Sequence, residues 1–179
     1  MHRNTTVRRL AEAGLIAALY TALTVCLTPL SFGLIQCRLA EALTLLAVFT
    51  PAAIPGLMAG CALANLLGIS LGANVAGMVD VIVGPLATGL AAWLTRRWRG
   101  VRPGGFPVLS ALPPIVLNAL VVGAELALAS PHFSLSVLLV QIVLVGAGEL
   151  IACGVGGLGL VKALESTGAA RRLFYSEEK

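Results

Sequence analysis

The stretch QCRLAEALTLLAVFTPAAIPGLMAGCALANLL, residues 36–67, sets Gln36, Arg38, Glu41 and Asn65 into an almost wholly apolar run broken by Pro51 and Pro55. Residues 39–69 are too many for one spanning helix, which needs about 20, and few for two. Each proline lacks a backbone donor and disfavours helix at the residue before it. The break therefore falls near Thr50, and the stretch reads as two helices.

Composition says what surrounds them. Of 179 residues, 58% are hydrophobic and only 11% are charged, too little polar surface to cover a soluble domain. The chain reads as an integral membrane protein. Its net charge of +4 does not indicate nucleic-acid binding, because Lys and Arg sit at the ends of apolar runs without a basic face or interleaved aromatics. The start, MHRNTTVRRLAEAGLIAALYTALTVC, has the basic opening and apolar centre of a signal peptide. Its apolar run is long, however, no small-residue cleavage site follows, and Val25 spoils a lipoprotein reading of Cys26. A retained first helix is expected.

Cys26, Cys37, Cys61 and Cys153 are scattered without the close pairing of a zinc or redox motif, so they read as small packing residues. His2 and His132, in a tail and a short loop, are placed as neither metal ligands nor bases. No metal and no cofactor is expected.

Residues 10–28, 75–95 and 108–130 are each long enough to span, and 135–164 spans with tilt and continues beyond. Charge tests the disputed stretch independently. Basic residues cluster at Arg3, Arg8 and Arg9, at Arg96, Arg97, Arg99 and Arg102, and at Lys162, Arg171, Arg172 and Lys179. Lys and Arg collect on the cytoplasmic side, so an even number of crossings separates consecutive clusters. Two crossings within residues 39–69 satisfy this and one does not. The expected fold is all-α: a single membrane domain over residues 1–179, a six-transmembrane-helix bundle with both termini cytoplasmic. Its helices lie at about residues 8–28, 39–50, 52–69, 75–96, 107–130 and 135–164. The second, about 18 Å long at 1.5 Å per residue, cannot cross alone, so protein or a cavity must shield its ends.

Arg38 alone among the basic residues falls on the outer side. Glu12, Glu165, Glu177 and Glu178 belong to the cytoplasmic boundary, whereas Glu41, Asp80, Glu125 and Glu149 lie in or beside the spans. A carboxylate at membrane depth costs several kcal/mol unless paired, protonated or wetted, and a polar cavity is the simplest common reason. Asn118 and Glu125, seven residues apart, lie within about 20° of one helical face. Gln141 and Glu149 can meet the same space less neatly. Asp80 opens DVIVGPLATG, where Gly84 and Pro85 loosen the helix. Plainer readings stand beside these: Arg38 and Glu41 as a local ion pair at i and i+3, and Asp80 favouring a helix dipole. A pocket with four acids and one Arg favours a donor-rich or cationic ligand over an anion.

Gly14, Ala18 and Ala22 recur every four residues on the first helix, beside Ala13, Ala17 and Thr21, and such a stripe permits close helix approach. Packing within the bundle and docking of a partner protein both remain open for it. Gly56, Gly60, Ala64 and Gly68 form a second stripe, assigned to internal packing. There is no GxxxxGK[ST] loop and no nucleophile with a base, so no enzyme or ATPase is expected, and uphill transport would draw its energy from elsewhere.

SFGLIQCRLAEALTLLAVFTPAAIPGLMAGCALANLLG, followed by DVIVGPLATGLAAWLTRR, PPIVLNALVVGAEL and a late GAGELIAC, resembles the queuosine-precursor transporter (QueT) family. Its members are substrate-binding S components of energy-coupling factor (ECF) transporters, a class of ABC importer serving vitamin uptake. The resemblance implies a six-helix protein of a prokaryotic plasma membrane that captures its solute near the outer face. Its partners would be a membrane coupling subunit (EcfT-like) and two cytoplasmic ATPases (EcfA-like), and it would topple in the membrane to deliver the ligand inward. An AxxxA stripe on the first helix, matched by Ala18 and Ala22, would meet the coupling subunit, and the loop of residues 29–38 would help close the site. The implied ligand is a 7-deazaguanine such as preQ1, preQ0 or queuine, or the nucleoside queuosine. Its guanine-like edge offers adjacent N–H donors and preQ1 adds a cation. Glu41, Glu125 and Glu149 are then the expected acceptors, with Gln36, Asn65 and Asn118 reading the carbonyl and ring nitrogens, Asp80 beside them, and Arg38 either fixing Glu41 or touching the ligand. The rival readings are an S component for thiamin or riboflavin, a self-sufficient secondary carrier or channel, and a membrane enzyme.

Overall fold

The computed structural model describes residues 5–33 and 36–174; the expectations for His2, Arg3, Glu177, Glu178 and Lys179 fall outside them. Among the described residues every regular element is helical. α1 (Thr5–Cys26) is followed by the single turn α2 (Thr28–Ser31), a 3₁₀ helix (Leu39–Val48), α3 (Ala53–Ser70) and α4 (Asp80–Arg97). α5 (Leu112–Ala129) starts from a 3₁₀ turn (Val108–Ala111). α6 (Leu135–Glu149) runs through a π-helical stretch (Leu150–Gly157) into α7 (Leu158–Ser166), and α8 (Ala169–Phe174) ends the described chain. Among the described residues four helical stretches are long and apolar enough to cross a membrane: Thr5–Cys26, Ala53–Ser70, Val108–Ala129 and Leu135–Ser166. Large apolar side chains such as Leu15, Leu66, Leu120 and Val143 are exposed along them, as lipid contact requires. α4 has 18 residues but carries Asp80, Arg96 and Arg97.

Two elements differ from expectation. The short second helix is 3₁₀ over Leu39–Val48 rather than α over 39–50, and it rises about 2.0 Å per residue. It stops before Pro51, and most of its residues, from Ala40 to Val48, are buried. Three residues per turn bring i and i+3 into line, so Glu41 and Thr44 share one edge while apolar side chains fill the rest. The other difference is the start of α4 at Asp80, where residue 75 was expected. Gly77 has φ +66°, outside the right-handed helical region, and Asn74 folds the connection on itself: its Oδ1 accepts from the Ala76 amide at 3.1 Å and its Nδ2 donates to Asp80 Oδ2 at 2.9 Å.

The helices pack in chain order, α1 on α3, α3 on α4, α4 on α5 and α5 on α6, with the 3₁₀ helix at the centre against α1, α4 and the π stretch. Glycines set the α1–α3 approach. A Cβ at Gly56 would stand 2.6 Å from the Ala13 carbonyl oxygen, and one at Gly60 would stand 2.8 Å from Tyr20 Cβ. Thr21 Oγ1 donates to the Gly60 carbonyl at 3.1 Å. The Gly56 and Gly60 stripe is thus an internal packing face meeting Ala13, Ala17 and Thr21, while Gly14, Ala18 and Ala22 point outward and are exposed.

The basic clusters meet at one end of the bundle. Arg8 donates to the Leu173 carbonyl at 2.8 Å and pairs with Glu12 at 3.0 Å. Arg102 pairs with Glu165 at 2.9 Å, and Arg96 donates to the Ala47 carbonyl at 3.1 Å. Arg38 is apart from these, buried with its guanidinium 5.1 Å from the Phe32 ring centre.

Candidate functional site

Eight expected site residues, Gln36, Arg38, Glu41, Asn65, Asp80, Asn118, Glu125 and Glu149, are all buried. The structure divides them into a central cluster, a flanking pair and one outlier. Gln36, Arg38, Glu41, Asn118 and Glu149 line one small enclosed space together with Gly84, Thr88, Val122 and Val145. That space is about 10 Å³, no more than about one water needs. The groups are gathered, and accepting a larger guest requires the walls to part.

Glu41 is held from three directions. Its Oε1 accepts hydrogen bonds from the hydroxyl of Tyr20 on α1 and, at 3.2 Å, from Thr88 on α4, while its Oε2 accepts from Thr44 at 2.9 Å. The Thr44 bond follows from the i, i+3 alignment of the 3₁₀ helix. Glu149 stands where α6 passes into the π stretch, a distortion that often marks functional positions. Its Oε1 accepts from Asn118 Nδ2 at 3.0 Å and its Oε2 faces the Cys153 thiol at 3.4 Å. The same thiol lies 3.2 Å from the Glu41 carbonyl oxygen. Asn118 Oδ1 has no hydrogen-bond partner among the described residues. Gln36, at φ +45°, occupies a backbone region uncommon for a residue with a side chain, and such strain collects at functional sites.

Arg38 pairs with Asp80, Nη2 to Oδ2 at 3.6 Å, rather than with Glu41, and its Nη1 reaches Cys61 Sγ at 3.7 Å. The local i, i+3 ion pair is therefore replaced by one across elements: Arg38, at φ −82° and ψ 90°, precedes the helical turn, while Glu41 faces Tyr20 and Thr88. Asn65 Nδ2 donates to the Asp80 carbonyl at 2.7 Å, which makes Asn65 a clamp on the start of α4. Asn65 Oδ1 and Asp80 Oδ1 remain unpartnered. Gly84 is needed here, since a Cβ on it would stand 2.5 Å from Asp80 Oδ1 and 2.8 Å from Asn65 Nδ2.

Glu125 is the outlier. It is buried, neither carboxylate oxygen has a hydrogen-bond partner among the described residues, and it lines a separate apolar groove between α4 and α5. Gln141 is further removed, half-buried in a shallow groove with Ser136 and Val140. Eight residues along an α-helix turn about 80° away from Glu149, enough to leave the centre.

Tyr20, Thr88 and Cys153 were not singled out from sequence. Their signals were weak: a tyrosine in an alanine-rich helix, a threonine among small residues, and a cysteine four residues after Glu149. The cysteines do more than pack, since Cys61 also takes contacts from Asn65 Nδ2 at 3.6 Å and Thr88 Oγ1 at 3.8 Å.

An all-helical bundle with several apolar spans and a charged, hydrogen-bonding centre is a multi-pass membrane protein built around a polar interior. Residues 10–166 match the family described as QueT transporter, and the chain belongs to that family of membrane transporters. Neither the curated proteins nor the solved structures contain a significant match.

Proposed function

We propose that this protein is the substrate-binding S component of an ECF-type importer for a queuosine precursor, a 7-deazaguanine such as preQ1, preQ0 or queuine, or queuosine itself. One observation carries the reading: Gln36, Arg38, Glu41, Asn118 and Glu149 converge from several elements on one space inside an apolar bundle. A purine-like edge presents adjacent N–H donors beside a carbonyl. Glu149 can accept the donors, Asn118 and Gln36 can read the carbonyl and ring nitrogens, and Arg38 can face the carbonyl or hold Asp80. Glu41, already accepting three internal hydrogen bonds, serves as the anchor of the wall, and Asn65 and Asp80 support it from behind.

The whole chain is one membrane domain with six crossings and cytoplasmic termini in a prokaryotic plasma membrane. The meeting of Arg8, Arg102 and residues 165–173 at one end supports this, since an even number of crossings must then separate the basic clusters. The energy comes from an EcfT-like coupling subunit and two EcfA-like ATPases, and the outward stripe of Gly14, Ala18 and Ala22 is the surface offered to the coupling subunit. The walls of the space of about 10 Å³ part to admit the ligand.

The experiment is mass spectrometry of small molecules carried by protein purified from native membranes, followed by titration of purified protein with 7-deazaguanines, thiamin and riboflavin. Retention of a 7-deazaguanine is expected, and binding of thiamin or riboflavin in its place would overturn the substrate. Uptake should stop when ATP hydrolysis by co-purifying subunits is blocked; continued uptake would make the protein a self-sufficient carrier.

A further inference from the structure

The 3₁₀ helix Leu39–Val48 runs for 10 residues, whereas 3₁₀ runs longer than about three or four residues are uncommon, because their side chains eclipse and their hydrogen bonds are poorly aligned. Its sequence does not ask for that geometry: all but Thr44 and Val48 are Leu, Ala or Glu, which favour α-helix. Tertiary contacts at its two ends therefore hold the form. At the Glu41 end the carboxylate is bonded to Tyr20 and Thr88, and the Cys153 thiol lies 3.2 Å from the Glu41 carbonyl oxygen. At the other end Arg96 donates to the Ala47 carbonyl at 3.1 Å and Thr50 donates to Glu12 Oε2 at 2.8 Å. The last described helix completes that end. Gly168, at φ +69°, folds α8 back so that Ala170 is buried and the Phe174 ring stacks on Phe49 at 5.6 Å. The Leu173 carbonyl accepts from Arg8, whose guanidinium also pairs with Glu12. An α form of the same segment would be about 5 Å shorter, rising about 1.5 rather than about 2.0 Å per residue, and would set Glu41 between Thr44 and Leu45 instead of in line with Thr44.

We propose that Leu39–Val48 is a two-state switch with α8 as its clasp. Seated on Phe49 and Arg8, α8 holds the 3₁₀ form; its release lets the segment relax to α and reshapes the wall that Glu41 anchors. The device joins the basic end of the bundle to the central space, because Phe49 directly follows the helix and Glu41 lies in its first turn. It needs no particular ligand and is independent of the substrate reading. The clasp is weak enough to let go, since one aromatic pair and one exposed hydrogen bond together shift an equilibrium by about ten- to a hundredfold.

Hydrogen–deuterium exchange of purified full-length protein, read by peptide mass spectrometry, compares wild type with Phe174→Ala combined with Arg8→Ala. Amides of residues 39–48 should exchange about tenfold or more faster in the double variant, while those of α3 and α5 stay within about twofold of wild type. Modification of Cys153 by N-ethylmaleimide should rise in step, with the exposed Cys26 as internal reference. Arg172→Ala, at an exposed position on the same helix, should change neither readout. Phe174→Ala alone should give the same pattern at smaller size, which covers a double variant that aggregates. A structure of the clasp variant should show Leu39–Val48 shortened toward α. Unchanged exchange at residues 39–48 would overturn the switch, as would equal acceleration throughout the bundle, the mark of a clasp that only stabilises. A segment still 3₁₀ in that structure, or melted, would overturn it too.

Discussion

Glu41 and Glu125 are the same residue, both buried in a helical bundle, and the protein treats them in opposite ways. Glu41 receives hydrogen bonds from Tyr20, Thr44 and Thr88, which tie together α1, the 3₁₀ helix and α4. Glu125 receives none. The first carboxylate is satisfied inside the fold, and the second is not. Glu149 stands between them: Asn118 holds one oxygen and the other has only a thiol, so it is oriented but not saturated. Burial alone therefore does not mark a ligand-binding acid. The number of internal donors is what distinguishes these three acids.

The sharpest way to break this comparison is Glu41→Ala. It strands three buried hydroxyls and leaves a cavity, so thermal unfolding in detergent should show a loss on the order of 3 kcal/mol or more; a change under about 1 kcal/mol would mean that the hydrogen bonds contribute little. Next in size is Gly60→Ala, whose Cβ must push against Tyr20 and the Ala17 carbonyl, 2.8 and 2.9 Å away. It should cost about 1–3 kcal/mol by wedging α1 from α3 and disturbing the Tyr20 contact with Glu41. Glu125→Leu has the opposite sign, because it removes an unpartnered carboxylate and loses no hydrogen bond, so stability should hold or rise by about 1 kcal/mol. A marked loss of stability in that variant would erase the distinction between the two acids. Smallest on the fold is Ala18→Leu on the outward face of α1, which should shift stability by less than about 0.5 kcal/mol. On the proposed docking of a coupling subunit to that face, its co-purification should fall sharply; retained co-purification would free that face from the docking role.

These contrasts also show what was legible beforehand. The placement of Glu41, Asp80, Glu125 and Glu149 could be read from expense, because acids are rare among apolar helices and each needs a reason. The break at Pro51 could be read from the missing donor and the restricted residue before it. What could not be read was the partnership. The three-residue repeat of the Leu39–Val48 helix leaves no distinct trace in so uniformly apolar a segment, yet it brings Glu41 to Thr44, while Arg38, before the helix at φ −82° and ψ 90°, pairs with Asp80 instead. The π stretch after Glu149 was hinted at only by the glycines at 154, 156 and 157. Gly157 matters most there, since a Cβ on it would stand 2.7 Å from Leu45. Gln141 was grouped with Glu149 on helical spacing, and the 80° between them was enough to leave it in a separate groove.

The central claim is that acids are buried here because a donor-rich guest completes them. Its most direct test is titration of a 7-deazaguanine into wild-type protein and into Glu149→Gln, with folding monitored in parallel. Saturable binding by wild-type protein, weakened by about tenfold or more in the variant at unchanged stability, is the predicted result. Equal affinity in the two proteins, or no binding of any 7-deazaguanine to the wild type, would contradict it.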